Sequence, residues 1–491
     1  MVLYLIGLIP IITALVWLRH RVSDIIIRRA GGARAPVLAG NLLSASKLYY
    51  EIGKNQYHNR LVDWCTSQLD SLPPGKRTFA EFSLTGSKRV LITRDPEQIK
   101  AILATKFPDF GHGPMWHKLW YPFLGDGIFG VDGQLWHDSR GMIRPMFSKD
   151  RLRNLAIFDA CTDKLVSKIP SSGATVDLKD LFYRWSLDTT TEFLLGENAG
   201  SLEFPIAPLV PKGDYYRGIK RIEQFIEPII ARTLAICPTR LQELSKSYME
   251  FSFLHSIALY TRDPKLIRDQ IMSVLFAGRD TTAATLSWAM YELSNYPVMW
   301  TKLRKEILHK LGPQATPTYE ILKDLTYLKN VLNETLRLHP AVPLNMRQVL
   351  ETTTIPGRSG EADIVLLKGD SVTINVLGMH TCADLYPPTS EHFADLKIFS
   401  PERWEHWTPK PWTYIPFSGG PRICIGQNFA LTEMAFCLVR LAQQYEKIEY
   451  RGDWTAQKLQ VDLIGTPALG VSLALYKPGE EQDSLSKHHI D

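Results

Sequence analysis

FSGGPRICIG, which runs from Phe417 to Gly426, places a single cysteine among glycines directly before an apolar helical run. A helix N-terminus and backbone N–H groups that point at sulfur lower the pKa of a thiol in such a position. Gly420 permits a tight backbone turn, and the missing Cβ at Gly426 lets a flat group lie close to the helix start. The segment therefore predicts that Cys424 is a thiolate presented singly to a bound group. The alternative is a buried apolar cysteine, the commoner role of a lone cysteine.

A thiolate without His or Cys neighbours suits haem iron better than zinc. The pattern F-x-x-G-x-R-x-C-x-G is carried by Phe417, Gly420, Arg422, Cys424 and Gly426, and it resembles the haem-binding loop of the cytochrome P450 superfamily. The resemblance implies a mainly α fold with small β-sheets (α+β). It also implies that the cofactor is haem b and that Cys424 is the axial ligand of its iron.

ETLR and PERW supply three charged residues that resemble further motifs of this superfamily. Glu334 and Arg337 are three residues apart on one helix face, close enough to pair. Taken alone, such a pair is usually a solvated surface contact. The resemblance instead implies a buried cluster of Glu334, Arg337 and Arg403 that holds the cysteine loop in place. Trp404 departs from the family, which usually has Phe at this position.

The two propionates of haem need cations or hydrogen-bond donors. WHDSR supplies Trp136 and Arg140, and Arg347 follows HPAVPLNM on a predicted strand. Surface solvation is the simpler role for any one of these arginines alone. The resemblance implies that the cofactor contacts come from the following residues: Trp136, Arg140, Arg347, Phe417, Arg422 and Gly426.

AGRDTT lies within IMSVLFAGRDTTAATLSWAM, which is apolar on all sides and predicts a buried helix. Gly278 in mid-helix costs about 1 kcal/mol relative to Ala, and we expect a bend there that admits a small ligand. The resemblance implies that Thr281 donates a hydrogen bond to dioxygen and that Asp280 relays protons. The alternative is a threonine that bonds back to its own helix and an aspartate paired with a surface cation.

The ends of the chain differ from its body. Residues 1–18 carry no charge and would span about 27 Å as a helix, close to the thickness of a bilayer core. Arg19 and Arg21 follow, which predicts a single transmembrane anchor with the catalytic domain on the cytoplasmic side of the endoplasmic reticulum membrane. A buried core helix is the alternative. The predicted organisation is an anchor (1–18), a basic hinge (19–45), a haem-thiolate monooxygenase domain (46–476) and a mobile polar tail (477–491).

Composition excludes several classes of protein. The chain has 491 residues, and 45% are apolar and 22% charged, the usual globular mix. A net charge of +5 is too small to indicate nucleic-acid binding. The six cysteines form no C-x-x-C pair, so neither a disulfide framework nor a zinc finger is indicated.

Local patterns predict the main elements. Phe82–Ile92 reads as a hairpin, Asp95 as a helix N-cap, and residues 106–133 as a long loop rich in Gly, Pro and aromatics. Residues 136–296 are mostly helical in periodicity, and a last helix is predicted over 427–443.

Several phrases, among them LGDGIFGVDGQLWHDSRGMIRPMF and NETLRLHPAVPLNMR, closely resemble the fungal n-alkane and fatty-acid ω-hydroxylases. The resemblance implies a long apolar substrate and a separate NADPH-cytochrome P450 reductase, and the chain has no G-x-G-x-x-G motif of its own. EFPIAPLVPKGD (203–214) departs from that family because it is shorter than the helical segment that forms the pocket roof there. Because fungal pathway oxygenases derive from the same lineage, a fungal secondary metabolite is the alternative substrate to a fatty-acid or alkane-like chain. Pocket candidates by position are Phe123, Phe129, Phe276, Val342 and Thr466.

Three functions compete. The first is a membrane-anchored haem-thiolate monooxygenase, an oxidoreductase. The second is a haem-thiolate isomerase or dehydratase that needs no external electrons; Asp280 and Thr281 argue against it, because such enzymes often lack this pair. The third is a non-catalytic haem- or lipid-binding membrane protein, which the shortened roof would allow.

Overall fold

The computed structural model describes residues 2–39, 42–73, 77–81, 89–148, 153, 155–203, 215–246, 251–357 and 360–480. Helices dominate and the sheets are small, which confirms the predicted fold class. The helices are, in chain order, α1 (Val2–Arg29), α2 (Leu42–Tyr57), α3 (Leu61–Asp70), α4 (Pro96–Lys100), α5 (Gly113–Leu124), α6 (Gly133–Ile143), α7 (Ala156–Lys168), α8 (Leu178–Leu195), α9 (Tyr215–Ala235), α10 (Pro238–Leu244), α11 (Phe253–Tyr260), α12 (Pro264–Asn295), α13 (Pro297–Lys310), α14 (Tyr319–Asp324), α15 (Thr326–Leu338), α16 (Val376–His380), α17 (Arg403–His406) and α18 (Gln427–Gln444).

The strands form four small sheets among the described residues. They are β1 (Thr78–Glu81), β2 (Val90–Thr93), β3 (Phe110–Gly111), β4 (Thr175–Asp177), β5 (Leu344–Val349), β6 (Thr353–Ile355), β7 (Ile364–Leu366), β8 (Ser371–Asn375), β9 (Lys447–Tyr450), β10 (Leu459–Val461), β11 (Gly465–Pro467) and β12 (Ser472–Tyr476). The largest sheet has the order β1-β2-β8-β5-β3, in which only β2 and β8 run parallel. The others are β4-β12-β9, β6-β7 and β10-β11.

Helix α12 crosses the middle of the molecule and packs along α8. Asp263 caps its N-terminus by accepting a hydrogen bond from the backbone N–H of Lys265, and Pro264 occupies its first turn. Apolar side chains surround most of α12, since it packs on one side against α8 and on others against α15 and α18. A helix buried all round fits the sequence prediction for this segment.

Several local predictions are confirmed. Asp95 accepts hydrogen bonds from the N–H groups of Glu97 and Gln98 at the start of α4. Helix α18 covers the predicted last helix, and Arg347 lies on β5 as expected.

The expectation of a long loop over residues 106–133 was wrong, because α5 lies inside it. Pro114 stands in the first turn of α5, where a missing N–H costs nothing, and Gly125 ends it at a φ of +51°. The glycines and prolines that suggested a loop therefore begin and end a helix. The first strand and the turn of the hairpin predicted over Phe82–Ile92 fall on residues 82–88, which lie outside the described residues. Its last residues lie in β2, which pairs with β1, a strand that precedes the predicted hairpin.

Two other predictions also fall on residues that are not described: nearly all of the shortened segment 203–214, and residues 481–491 of the tail. Within the described residues, no helix is both long and apolar enough to cross a membrane, so the span predicted for residues 1–18 is not confirmed.

Candidate active site

The cysteine loop is held in its turn by contacts of its own backbone. The N–H of Cys424 donates to the carbonyl of Phe417 at 3.0 Å, and the N–H of Ile423 donates to that of Gly420, also at 3.0 Å. Gly420 has a φ of +67°, and a Cβ there would lie 1.8 Å from the carbonyl oxygen of Leu103. No other residue type fits, so the glycine lets the loop lie directly against the turn that follows α4.

Cys424 keeps an accessible surface although protein surrounds it. Burial raises the pKa of its thiol, while the backbone N–H of Gly426 and the charge of Arg140 act to lower it. The sequence predicted the lowering influences but not that burial outweighs them in the protein alone. A cation bound to its sulfur would oppose the effect of burial.

Glu334 is fully buried at the centre of the predicted charged cluster. Its carboxylate accepts two hydrogen bonds of 2.8 Å from Arg337 and one of 3.4 Å from Arg403. It also accepts from the N–H of Ser400 at 3.1 Å and from the indole N–H of Trp404 at 3.0 Å. The cluster joins α15 to α17, and Trp404 supplies a hydrogen bond that a phenylalanine could not.

The predicted cofactor cations converge beside the loop. The guanidinium of Arg422 lies 4.6 Å from the ring centre of Trp136, and that of Arg140 lies 5.9 Å from the same ring. Arg347 is buried and donates to the side chain of Asn345 at 2.7 Å. These residues come from the cysteine loop, α6 and β5, so separate parts of the chain bring the cations together.

Burial and neighbouring cations both act on the pKa values of these arginines. Burial and the charge of Arg422 lower the pKa of Arg347 to about 10, and burial and Arg140 lower that of Arg422 to about 10. Asp132 acts in the opposite direction on both. The Nε of Arg422 is buried without a hydrogen-bond partner in the described residues. A site with surplus cations, an unpartnered donor and a thiol fits a cofactor that carries carboxylates and a thiol-binding metal.

One stretch of α12 is less buried than the helix on either side of it. Residues 276–281 are half-buried, while 269–275 and 282–294 are buried. The hydroxyl of Thr281 donates to the carbonyl of Ala277 at 2.8 Å, and Oδ1 of Asp280 lies 3.3 Å from Nη1 of Arg279. Burial raises the pKa of Asp280, and Arg279 acts to lower it. The two local contacts that the sequence left open as alternatives are therefore the ones present.

Helix α12 is helical without a break from Pro264 to Asn295, and the bend expected at Gly278 stays a prediction. A Cβ at Gly278 would lie 3.1 Å from the side chain of Thr190. The glycine therefore serves the close approach of α8. Ser186 of α8 donates to the carbonyl of Arg279 at 2.6 Å in the same contact.

Two residues beside the cations were missed in the sequence. Asp132 accepts a hydrogen bond of 2.6 Å from Arg422 and further bonds from the backbone N–H groups of His112 and Gly113. His112 is close enough to Arg347 and Arg422 for both to influence its pKa. The only sequence signal was the N-cap position of Asp132 before α6, which says nothing of a contact with a residue 290 positions away.

The pocket candidates are only partly brought together. Phe123 and Phe276 meet edge to face with centroids 5.7 Å apart, and Trp120 also contacts Phe276 at 5.7 Å. Phe129 is partly exposed, Val342 precedes β5, and Thr466 lies on β11. A cavity of about 690 Å³ opens elsewhere, between α5, α9 and the start of α12, and its lining includes none of the predicted site residues. The chemistry of the side chains, rather than that cavity, locates the site.

A cysteine in a constrained loop, with Arg140 close enough to act on its thiol and further arginines packed around Trp136, fits a helical enzyme with an anionic, thiol-ligated cofactor. The profile of the family described as "Cytochrome P450" matches residues 82–251 and 213–469. A relative named cytochrome P450 monooxygenase pvhE, from Talaromyces variabilis, is 42% identical over 437 residues, which cover 80% of this chain and 81% of the relative. Cytochrome P450 52A13 from Debaryomyces hansenii is 36% identical, covering 83% and 84%, and cytochrome P450 52A6 from Candida tropicalis is 36% identical, covering 81% and 83%.

The chain belongs to the cytochrome P450 family, as its sequence motifs predicted. Its similarity to these proteins identifies it as a cytochrome P450 monooxygenase, and its cofactor is haem b with a cysteine thiolate as axial ligand.

Proposed function

We propose that this chain inserts one oxygen atom of dioxygen into a small apolar organic molecule, with Cys424 as the thiolate that binds haem iron. The observation that carries the proposal is Cys424, a residue with accessible surface in a loop whose backbone is tied by Phe417 and packed against Leu103. When bound, a haem with a thiolate ligand supplies activation of dioxygen for insertion into a C–H bond.

The chain's own residues would hold the cofactor, and they fix the position of Cys424. Arg140, Arg347 and Arg422 would hold the propionates, and Trp136 packs against the guanidinium of Arg422. The carbonyl of Phe417 accepts the N–H of Cys424. Gly426 leaves the start of α18 open, since even a Cβ added there would come no closer than 3.6 Å to its nearest neighbour, the ring of Phe147. The backbone of Cys424 is thus fixed, and the position of Gly426 is not crowded by its neighbours.

Thr281 and Asp280 would manage protons on the face of α12. The hydroxyl proton of Thr281 is committed to Ala277, so Oγ1 is free to accept a hydrogen bond, rather than donate one as the sequence suggested. Burial raises the pKa of Asp280, which favours a carboxyl group that takes up a proton more readily than an exposed aspartate does. Asp280, which lies beside Arg279 at the partly exposed side of the helix, would pass protons from solvent toward Thr281.

The similar proteins and the aromatic side chains near α12 support a class of substrate, and the family resemblance supports an electron donor. The relatives named 52A and the sequence resemblance to fungal alkane and fatty-acid ω-hydroxylases support an apolar chain or a fungal secondary metabolite as substrate. Phe123, Phe276 and Trp120 offer an apolar wall beside the half-buried face of α12. A separate NADPH-cytochrome P450 reductase would supply the electrons, as the resemblance implies.

The experiment combines two variants in one reconstituted assay with reductase, NADPH and oxygen. Cys424→Ala should abolish the thiolate-type Soret band of the reduced carbon monoxide complex and all product. Thr281→Ala should keep that band but lower product formed per NADPH several-fold, because protons are no longer directed, and Thr281→Ser should restore most of it. A thiolate-type band in Cys424→Ala would overturn the ligand assignment. Turnover of wild-type enzyme without reductase and oxygen would instead favour an isomerase or dehydratase.

Membrane attachment through residues 1–18 is a further part of the proposal. The run is uncharged and is followed by Arg19 and Arg21, and the side chains of Leu15, Trp17 and Leu18 on α1 are more than half exposed. Exposed apolar side chains in this number need an apolar partner, and a bilayer of the endoplasmic reticulum would provide one. We expect the full chain to stay in the membrane pellet after extraction at alkaline pH and a variant lacking residues 1–18 to be released. Retention of both in the pellet, or release of both, would contradict the anchor.

A further inference from the structure

The C-terminal part of α1 is attached to the small sheet of β6 and β7. Ile27 is buried, and Asp24 forms an ion pair with Arg34 in the segment that follows the helix. The backbone N–H of Ala33 donates to the carbonyl of Asp363, directly before β7, at 2.7 Å. These contacts hold the end of α1 against the catalytic domain.

A cavity of about 270 Å³ lies beside this attachment, between α1 and the turn that joins β7 to β8. Ser23 and Ile26 line it from α1, and Arg89, Thr352 and Lys368 line it from the sheets. Its volume is below the range of about 300–1,000 Å³ that is usual for sites of drug-sized molecules, so it suits a small polar group.

Arg89 brings a buried donor without an acceptor to this cavity. The residue is 5% exposed, and its Nη1 has no hydrogen-bond partner in the described residues. Its Nε donates to Asp370 at 3.0 Å, and its Nη2 donates to the carbonyl of Val365 at 3.0 Å as well as to Asp370. Asp370 also accepts the backbone N–H of Leu367 at 2.8 Å, so its charge is already engaged within the protein. A buried guanidinium N–H without an acceptor costs free energy, and an anionic oxygen would remove that cost.

Two further donors stand at the rim of the cavity. The ammonium of Lys368 lies 2.7 Å from Glu351, but the two side chains are 66% and 68% exposed. An exposed ion pair contributes little to stability, so Lys368 can exchange Glu351 for another anion. The backbone N–H of Lys368 donates to Oγ1 of Thr352 at 3.1 Å, which leaves the hydroxyl hydrogen of Thr352 to donate. A guanidinium, an ammonium and a hydroxyl around one small cavity fit a phosphate group, whose oxygens accept hydrogen bonds.

The position of the cavity along α1 indicates the source of the phosphate. Ser23 lies five residues after Leu18, the last residue of the proposed span, which is about 7.5 Å along a helix. The headgroup layer is roughly 5–8 Å thick on each side of a bilayer. The cavity therefore stands at the depth of the lipid phosphates, and Arg28 and Arg29 add positive charge in the last turn of α1.

We propose that the cavity between α1 and the β7–β8 turn binds the phosphate group of a membrane phospholipid, with Arg89, Lys368 and Thr352 as donors. This inference rests on the proposed membrane attachment through residues 1–18. A bound headgroup would fix the orientation of the catalytic domain on the bilayer, because its contacts come from both α1 and the sheets.

The test counts lipid molecules on the full chain, purified with haem in detergent, by native mass spectrometry. The probe is dioctanoylphosphatidylglycerol; dioctanoylglycerol offers the same acyl chains without a phosphate, and inorganic phosphate is the free anion. We expect one phosphatidylglycerol per wild-type chain and about tenfold weaker binding in Lys368→Gln and in Arg89→Lys, the effect of one hydrogen bond to a charged group. In Arg89→Lys the ammonium still pairs with Asp370 but has no counterpart of Nη1. Binding of dioctanoylglycerol should be the same in wild type and variants.

Lys310→Gln is the matched control, since Lys310 pairs with Asp324 at 2.7 Å at the end of α13, and it should bind the lipid as wild type does. The Soret band and circular dichroism show whether each variant is folded, and Lys368→Gln, at an exposed position, serves if Arg89→Lys is not. Wild-type affinity in every folded variant, or inorganic phosphate that binds as tightly as the lipid, would overturn the inference.

Alkaline extraction separates this result from the proposed anchor. Lys368→Gln should stay in the membrane pellet, because residues 1–18 are unchanged in that variant. Release of the wild-type chain would overturn the anchor, whereas equal lipid affinities would overturn only the phosphate site.

Discussion

Glu334→Gln is expected to lower the free energy of unfolding of the haem-bound protein by roughly 3–5 kcal/mol. Glutamine keeps the shape of the side chain but removes its charge. Arg337 and Arg403 are both fully buried, and Glu334 is the carboxylate bonded to each of them. Without it, two guanidinium groups remain in the interior without a counter-charge, a much larger cost than the loss of the hydrogen bonds themselves.

Trp404→Phe is the graded control for this prediction. It removes the 3.0 Å hydrogen bond from the indole N–H to Glu334 but leaves all three charges in place, and it restores the residue type usual in the family. The expected loss is about 1–2 kcal/mol. Urea unfolding followed by circular dichroism measures both variants, with the Soret band recorded in parallel. Equal midpoints for the two variants would mean that charge compensation at Glu334 contributes little.

The cluster around Glu334 shows which of its contacts can be predicted from the sequence. Spacing alone places Glu334 and Arg337 on one face of α15, but an exposed pair and a buried one have the same spacing. The resemblance to the cytochrome P450 superfamily favoured the buried pair over the exposed one. Neither the spacing nor the resemblance predicted the hydrogen bond from Trp404 to Glu334, which the structure shows. In the sequence, tryptophan in place of the usual phenylalanine looks like a minor substitution. In the structure, the indole N–H of Trp404 donates a hydrogen bond to the carboxylate of Glu334.

Predictions failed where they required knowing which face a residue presents. Gly278 was correctly placed in a buried helix, yet its open side meets Thr190 rather than the active site. Residues 106–133 were read as a loop because Gly and Pro are counted without regard to position, although Pro114 and Gly125 mark the two ends of α5. Asp132 and His112 could not be found at all, since their partners are on β5 and the cysteine loop, more than 200 residues away.

Glu433 on α18 should make the stability of the protein depend strongly on pH. Its side chain is fully buried, and neither carboxylate oxygen has a hydrogen-bond partner in the described residues. Burial raises its pKa to about 8, with Thr282 of α12 acting weakly in the other direction. The folded protein therefore holds a proton on this acid at neutral pH, whereas the unfolded chain, with a pKa near 4.3, has released it.

The sign of the pH dependence follows from this difference. The folded state binds the proton more tightly, so the stabilising contribution is fully present below about pH 4.3 and declines as the pH rises toward 8. Each unit of difference in pKa corresponds to about 1.4 kcal/mol, which makes the decline across the window roughly 4–5 kcal/mol. Above pH 8 the folded state also loses the proton, and this contribution stops changing.

Glu433→Gln should remove that dependence, because an amide of the same shape is neutral at every pH. We expect the variant to be more stable than wild type at pH 8 by several kcal/mol and to approach it as the pH falls toward 5, in urea unfolding at unit steps of pH. Glu351→Gln is the matched control, since Glu351 is exposed in its pair with Lys368 and its loss should leave the slope unchanged. Parallel slopes of stability against pH for wild type and Glu433→Gln would show that the carboxyl group of Glu433 is ionised in the folded protein. An ionised acid between α12 and α18 would require a charge partner, and its carboxylate oxygens have no hydrogen-bond partner among the described residues.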